Sequence, residues 1–550
     1  MPSESRNLRP DGAGGPDSPA RLNVEVPTHG ARRVVPSTLV VGMLADLSGQ
    51  PEPALPPLAR RGFIELDRDN FEDVLGKSQP RLAYQVEDLV RGGGAPIDVV
   101  LRFRTLDDFE PEHVVGQIEA LKPLLEARGR LVDLGRRAGS SDQVAAVLQE
   151  LWDGIGQPAP GSESDSAAPA SSQELVPGTE QDSGADTPNL LEQILGLQAG
   201  ALPQAPGEEP PGSAGRFLEE SLARAMAGVR TVSQDTRDMI SGGLTQIDGF
   251  LSKQLSRVLQ HPSFQRLEAA WRGLHDLVFH SETDETLKIK VLNLGKPELL
   301  EDLEQAGGSG QTELFRKLDR AAEIGEPFGV MLGDYDFANE PADLAALEAI
   351  SQIATAAQAP FLAAVAPRFF GLTEFDELAD ATDLVPRLES AAYQRWRQFR
   401  SSDSSRAVGL CVPSILVRLP YGRQTRSVEL FDFEEDLATA SRRAYLWGSA
   451  VFALGRCLTA AFASEGSCQN LQGFETGGRV RRLAVHIVRT DDEPVITGPC
   501  AVALSQRRAS ELVDLGFIPL VSIRGTDEAA FLAVVSCHHP PEPIRILRSG

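Results

Sequence analysis

The chain has 550 residues, 41% hydrophobic and 24% charged, which is ample for several packed domains and excludes collagen-like, wholly disordered and small disulfide-scaffold classes. Its 78 acidic against 53 basic side chains leave a net charge of -25, which repels phosphate backbones and anionic lipid and argues against nucleic-acid binding or direct membrane insertion. The five cysteines are odd in number, far apart and without a CxxC pair, and Met1 to Ala20 lacks an apolar core. Both features predict a cytoplasmic protein with reduced thiols and no signal peptide.

In chain order, residues 1–33 read as a disordered arm and residues 34–152 as a small folded α+β unit. Leu39-Val40-Val41-Gly42-Met43-Leu44 is a strand ending in the turn Ala45-Asp46-Leu47-Ser48-Gly49. Ile97, Val99, Leu101 and Phe103 alternate as a second strand. Leu106 to Pro111 opens a helix whose stripe runs through Ile118, Leu121, Leu125 and Leu131, with Pro123 expected to kink or break it. Residues 153–216 turn rich in Pro, Gly, Ser and acid, the composition of a flexible linker. One interruption, near 188–197, puts Leu190, Leu191, Ile194 and Leu195 on a single helical face. It reads as a helix that folds back on a neighbouring domain or as a docking helix offered to a partner.

Residues 217–537 form the larger folded region, and 538–550 a short tail. The region opens with two helices, one through Ile247, Leu251, Leu255 and Leu259 and one through Phe264, Leu267, Trp271 and Leu274, separated at His261-Pro262. Strands are expected at Leu287 to Leu292, Phe328 to Leu332 and Pro360 to Val365. A helix from Asp343 to Ala357 between the last two makes a βαβ unit. The apolar run Leu446 to Ala463 carries Arg456 near its middle and reads as a buried helix rather than a membrane span.

No catalytic constellation emerges, and no cofactor or metal site is expected. Asp334 and Asp336 follow a strand, yet no nearby His or Glu completes a ligand set. Asp67 to Glu72 fails as a calcium loop, since Phe71 holds a ligand position. Gly473 to Gly478 lacks phosphate-loop spacing, and no GxSxG elbow is present. The cluster Arg395, Arg397, Arg400 and Arg406, with Arg418 beyond, stands out in so acidic a chain. It reads either as an intramolecular ion-pair network or as a basic patch between copies.

The second region resembles the large sheath subunit of the type VI secretion system, the TssC (VipB) family. The similar runs are Leu251-Ser252-Lys253-Gln254-Leu255, His261-Pro262-Ser263-Phe264 through Leu267-Glu268-Ala269-Ala270-Trp271-Arg272, Pro327 to Phe337, Arg418-Leu419-Pro420-Tyr421-Gly422, Leu446-Trp447-Gly448 and Leu515-Gly516-Phe517-Ile518-Pro519. The first region resembles the small subunit, TssB (VipA), through Asp46-Leu47-Ser48-Gly49, Arg61 to Phe71 and Leu101-Arg102-Phe103-Arg104-Thr105-Leu106-Asp107-Asp108-Phe109-Glu110-Pro111. The chain looks like both subunits fused, small then large.

This resemblance implies a sheath-type protomer of mixed α/β (α+β) class, a small N-terminal domain and a larger one joined by the linker. It implies a structural, non-enzymatic role: polymerisation with copies of itself into a helical sheath around the Hcp tube, and contraction that drives the tube outward. The alternative is a non-polymerising accessory or regulatory protein of the same apparatus. The implied partners are Hcp, baseplate components and the AAA+ unfoldase ClpV, for which Leu190, Leu191, Ile194 and Leu195 would be the docking helix. Val24, Glu25 and Val26 would form the strand exchanged between protomers, and a linker of this size spans roughly 40 Å. The family pattern continues past the region around Phe531, which implies either a divergent sheath protein, with Pro543 to Arg548 as a short arm, or a separate chain supplying the missing C-terminal part.

Overall fold

Leu39–Ala45 offers no polar side chain on either face, and all seven of its residues are buried. Such a strand is stable only with both faces covered and both edges paired, as in the middle of a parallel sheet. The computed structural model describes residues 23–28, 31–36, 38–89, 96–137, 234–306, 308–437, 441–468, 471–475, 477–489 and 494–546. In it, Leu39–Ala45 runs parallel between Leu287–Asn293 and Val330–Phe337, with Val41 opposite Ile289 on one side and Val330 on the other. The first region therefore supplies an internal strand to the sheet of the second. At the edge, Ile64–Leu66 adds another by pairing antiparallel with Leu287–Asn293.

Among the described residues the sheet has nine strands. Beyond Val330–Phe337 it continues in parallel through Phe361–Val365, Val408–Val412 and Ile518–Ser522, then closes with antiparallel Ala529–Phe531 and Arg479–Val480. Its alternating side chains feed two cores. Val41 and Met43 point to a layer holding Leu255, Trp271, Leu274, Phe452 and Leu454. Val40 and Leu44 point to one holding Leu299, Leu314, Leu347 and Ile350. The class is mixed α/β, as expected, and the βαβ unit is present as Val330–Phe337, Pro341–Ala356 and Phe361–Val365.

Local chemistry explains the helix boundaries. The helices Gln234–Leu259 and Pro262–Phe279 divide at His261, whose Nδ1 accepts the Ser263 amide, with Pro262 at the first helical position. Of the two outcomes expected at Pro123, a kink or a break, the structure shows the break, with the proline opening the next helix. The stripe is split into Pro111–Gln117, a 3-10 turn at Glu119–Leu121 and Lys122–Arg137, and Pro123 falls in the first turn of the last piece, where its missing N–H costs nothing. Ala450–Glu465 is buried on nearly every side, and Arg456 reaches out of it to Asp276 at 3.0 Å. No helix among the described residues is long and apolar enough to cross a membrane.

Four smaller antiparallel pairs lie outside this sheet among the described residues, one of them Ile415–Leu416 with Trp447–Gly448. Arg81–Val86 with Ile97–Arg102 turns Leu82, Val86, Ile97, Val99 and Leu101 into the core, as the alternation predicts. Asn23–Thr28 with Ala31–Pro36, and His486–Arg489 with Pro494–Thr497, are separate two-stranded sheets. Near the end of the described chain, Pro543 and Ile544 fold back on their own protomer: Ile544 is buried, and its amide donates to Val534 O at 3.2 Å.

Because Leu39–Ala45 is held by the second region on both edges, backbone continuity is not what keeps the regions together. A protease site inserted within residues 160–165 and cut after folding is expected to leave two fragments that copurify at 1:1 and separate only in denaturant. Elution as independent pieces would contradict the shared sheet.

Candidate functional site

The junction between the two regions gathers most of the motif residues singled out in the sequence. Its centre is the turn after Leu39–Ala45. Asp46 Oδ1 accepts the amides of Ser48 at 3.3 Å and Gly49 at 2.9 Å, closing the turn. Gly49 has φ +62, and a Cβ there would lie 2.8 Å from Arg81 O, so only glycine fits. The second region reads the backbone of this turn. Trp271 Nε1 donates to Leu47 O at 3.0 Å, Asn293 Oδ1 accepts Leu47 N at 3.0 Å, and Asn293 Nδ2 donates to Ser48 Oγ at 2.6 Å.

Aromatic packing extends the seam. Phe103 and Phe109 stack at 4.0 Å, and Phe264 meets both edge-on at about 6 Å, joining the Leu101–Pro111 motif to the His261–Arg272 motif. Tyr84 stacks on His261 at 4.0 Å and donates its hydroxyl to Val258 O at 2.9 Å. Gln254 both accepts from Leu89 N at 2.8 Å and donates to Glu87 O at 2.9 Å.

A buried charge network crosses the same seam. Glu268 is fully buried and accepts from Arg272 Nε at 2.7 Å and Arg418 Nε at 2.8 Å. Arg418 also binds Glu435 at 2.9 Å and lies over the Tyr421 ring at 4.3 Å. Arg272 continues to Glu110 of the first region at 3.0 Å, and Arg426 reaches the same carboxylate at 2.5 Å. Burial opposes the charge on Glu268, yet the Arg418 and Arg272 guanidiniums together hold its carboxyl below the ordinary range. A second pair, Arg128 with Asp248 at 2.5 Å, ties the far ends of the regions, and Arg61 pairs with Glu298 near the sheet edge.

The other sequence candidates fall elsewhere. Leu190, Leu191, Ile194 and Leu195 lie outside the described residues. Val24, Glu25 and Val26 belong to the Asn23–Thr28 strand, opposite Val35, Val34 and Arg33. Arg395 grips Glu348 through Nε at 3.0 Å and Nη2 at 2.9 Å, and Arg397 donates to Leu388 O and Ser390 O. Arg406 pairs with Glu542 and, at 3.7 Å, Asp403. Arg400 is buried, donating to Cys537 O at 3.0 Å and Asp514 O at 3.1 Å, so it staples the interior and offers no surface charge. Arg418, grouped with this cluster by sequence, sits instead in the junction network.

Asp334 and Asp336 lie within Val330–Phe337 rather than after it; Asp334 is half-buried, and burial, with the charges of Asp336 and Asp46 added, pushes its carboxyl up to about 7. No group of three or more His, Cys, Asp or Glu able to hold a metal occurs among the described residues. The five cysteines are free and buried. The role of Glu268 and Arg272 was not read from sequence, although their i, i+4 spacing on a helix is the signature of a pair.

Replacing Glu268 with Gln leaves Arg272 and Arg418 buried without their shared anion and should cost about 3–5 kcal/mol at pH 7 in a denaturant titration. Because the folded carboxyl titrates below its unfolded value, its contribution is complete above the ordinary glutamate pKa and is lost as pH falls through the lower folded one. Glu268→Gln should therefore flatten the acid limb of the stability curve; an unchanged limb would refute the assignment.

Residues 242–538 match the VipB family model, described as EvpB/VC_A0108, tail sheath N-terminal domain, and residues 17–154 match the model for Type VI secretion system, VipA, VC_A0107 or Hcp2. Type VI secretion system sheath protein TssC1 of Pseudomonas aeruginosa is 38% identical over 324 residues, 58% of this chain and 65% of that relative's length. Sheath protein TssB1 of the same organism is 35% identical over 134 residues, 24% of this chain and 77% of that relative. The two matched stretches meet in the seam just described, and the chain belongs to the type VI secretion sheath family, with a VipA (TssB) region followed by a VipB (TssC) region in one polypeptide.

Proposed function

We propose that this chain is a cytoplasmic structural protomer of a contractile type VI sheath, without catalytic activity, that polymerises around the Hcp tube and contracts to propel it. The observation that carries the reading is the shared sheet: the two sheath-subunit regions fold as one unit, so a single polypeptide holds both components in fixed 1:1 ratio. The detached two-stranded sheets at Asn23–Pro36 and His486–Thr497 support assembly, because an antiparallel pair outside a larger sheet keeps outer edges able to accept a strand from another copy. In this reading Val24, Glu25 and Val26 form the exchanged strand. Arg395, Arg397 and Arg406 would be the outward part of a basic patch facing acidic surface on the next copy. Baseplate components would anchor the polymer, and ClpV would recycle it through Leu190, Leu191, Ile194 and Leu195.

Negative-stain electron microscopy of the purified chain, alone and with its tube protein, is expected to show tubules of uniform width. Compact particles in both samples would sink the polymer reading and favour the accessory one. The docking helix has its own check: Leu191→Asp with Ile194→Asp should reduce unfoldase binding at least about tenfold, the loss expected when apolar anchors of a helix-in-groove contact are removed. Unchanged binding would dismiss it.

A further inference from the structure

Lys122–Arg137, the last described helix of the first region, and Gln234–Leu259, the first of the second, run side by side in opposite directions. Arg128 pairs with Asp248. A Cβ on Gly243 would meet Leu131 Cδ1 at 3.4 Å, and one on Gly135 would meet Ile240 Cγ2 at 3.5 Å. The partners descend one helix as they climb the other, so Arg137 ends roughly one turn, about 6 Å along the axis, from the start of Gln234–Leu259. Contacting helices stand about 8–10 Å apart, and an extended residue spans about 3.3–3.6 Å. A loop of roughly four to six residues would join these ends, as in an αα-hairpin. Residues 138–233 are far more than the junction requires.

We propose that the first region of each chain is held by the second region of the same chain, and that the linker, residues 153–216, is a replaceable connection between them. The alternative is exchange, in which the Leu39–Ala45 strand and the Lys122–Arg137 helix of one copy dock on a second copy. Exchange would satisfy the same contacts, since the two copies are identical. The connection decides between them. Its ends adjoin within one chain, the entropy of closing it grows only with the logarithm of its length, and the tethered half is present at roughly millimolar effective concentration. A second copy at micromolar concentration competes poorly. This inference concerns how one chain closes on itself and holds whether or not the protomers polymerise.

The test is a cysteine pair in the full chain, Gly135→Cys with Ile240→Cys, oxidised mildly and run without reductant. The native cysteines are buried and do not compete. The expected product is a disulfide within one chain, exceeding covalent dimer by about tenfold or more. Co-expressed chains carrying Gly135→Cys alone and Ile240→Cys alone, with different tags, should give no mixed dimer. A ladder from the double variant, or a mixed dimer from the single ones, would establish exchange and overturn the proposal. Failure of the two introduced thiols to pair even after oxidation in mild denaturant and refolding would overturn the helix register beneath it. Replacing residues 153–216 by eight Gly and Ser residues should leave a single-chain species that forms the same internal disulfide. A dimer linked through that disulfide would again mean exchange.

Discussion

A parallel strand buried on both faces cannot stand at the surface of a small domain, and that constraint organises this molecule. Leu39–Ala45 has backbone donors and acceptors on two edges and apolar side chains on two faces, and the first region alone supplies partners for neither edge. Leu287–Asn293 and Val330–Phe337 satisfy the edges, while the helices of the second region cover the faces. Removing the strand would open the sheet, separating Leu287–Asn293 and Ile64–Leu66 from Val330–Phe337 and all the strands beyond it. The two regions are thus components of one cooperative core.

Apolar burial alone would tolerate several alignments of such a seam, and the polar contacts distinguish among them. Trp271 and Asn293 read the backbone of one residue, Leu47, so a one-residue slip of the strand would leave an indole N–H and an amide without partners. The chain Glu435–Arg418–Glu268–Arg272–Glu110 works the same way with greater stakes. Desolvating these charges is costly and their mutual attraction offsets that cost only in good geometry, so the network penalises misalignment more than it adds net stability. A junction built this way fits in one alignment only.

The outer parts of the molecule follow the opposite logic. Val24–Val26 and the His486–Thr497 pair lie in small sheets outside the core, where backbone edges are less fully used. Arg395 and Arg406 keep their guanidiniums partly exposed while pairing locally, which limits any net attraction to another copy to what screened surface charge can provide. The interior holds the two regions as one unit, and the periphery leaves backbone edges and charge less fully committed.

Much of this was legible in the sequence because it depends on neighbours a few residues apart. The strand at Leu39, the alternation at Ile97 to Leu101, the helix break at His261-Pro262, the βαβ unit and the burial of the Arg456 helix all follow from local period and punctuation. Similarity of motifs identified the two subunit types. The break expected at Pro123 is present, and packing of Ile118 and Leu121 decided that the proline falls in the first turn of the next helix rather than at a kink. What the sequence by itself determined was the composition of two regions and the elements within each. That Leu39–Ala45 lies inside the other region's sheet, that Arg418 belongs to the junction and Arg400 to the interior, and that Arg128 meets Asp248 were decided by tertiary structure alone. These pairings join residues more than a hundred positions apart, and period, propensity and spacing carry no information across such distances until the sheet order brings the partners together.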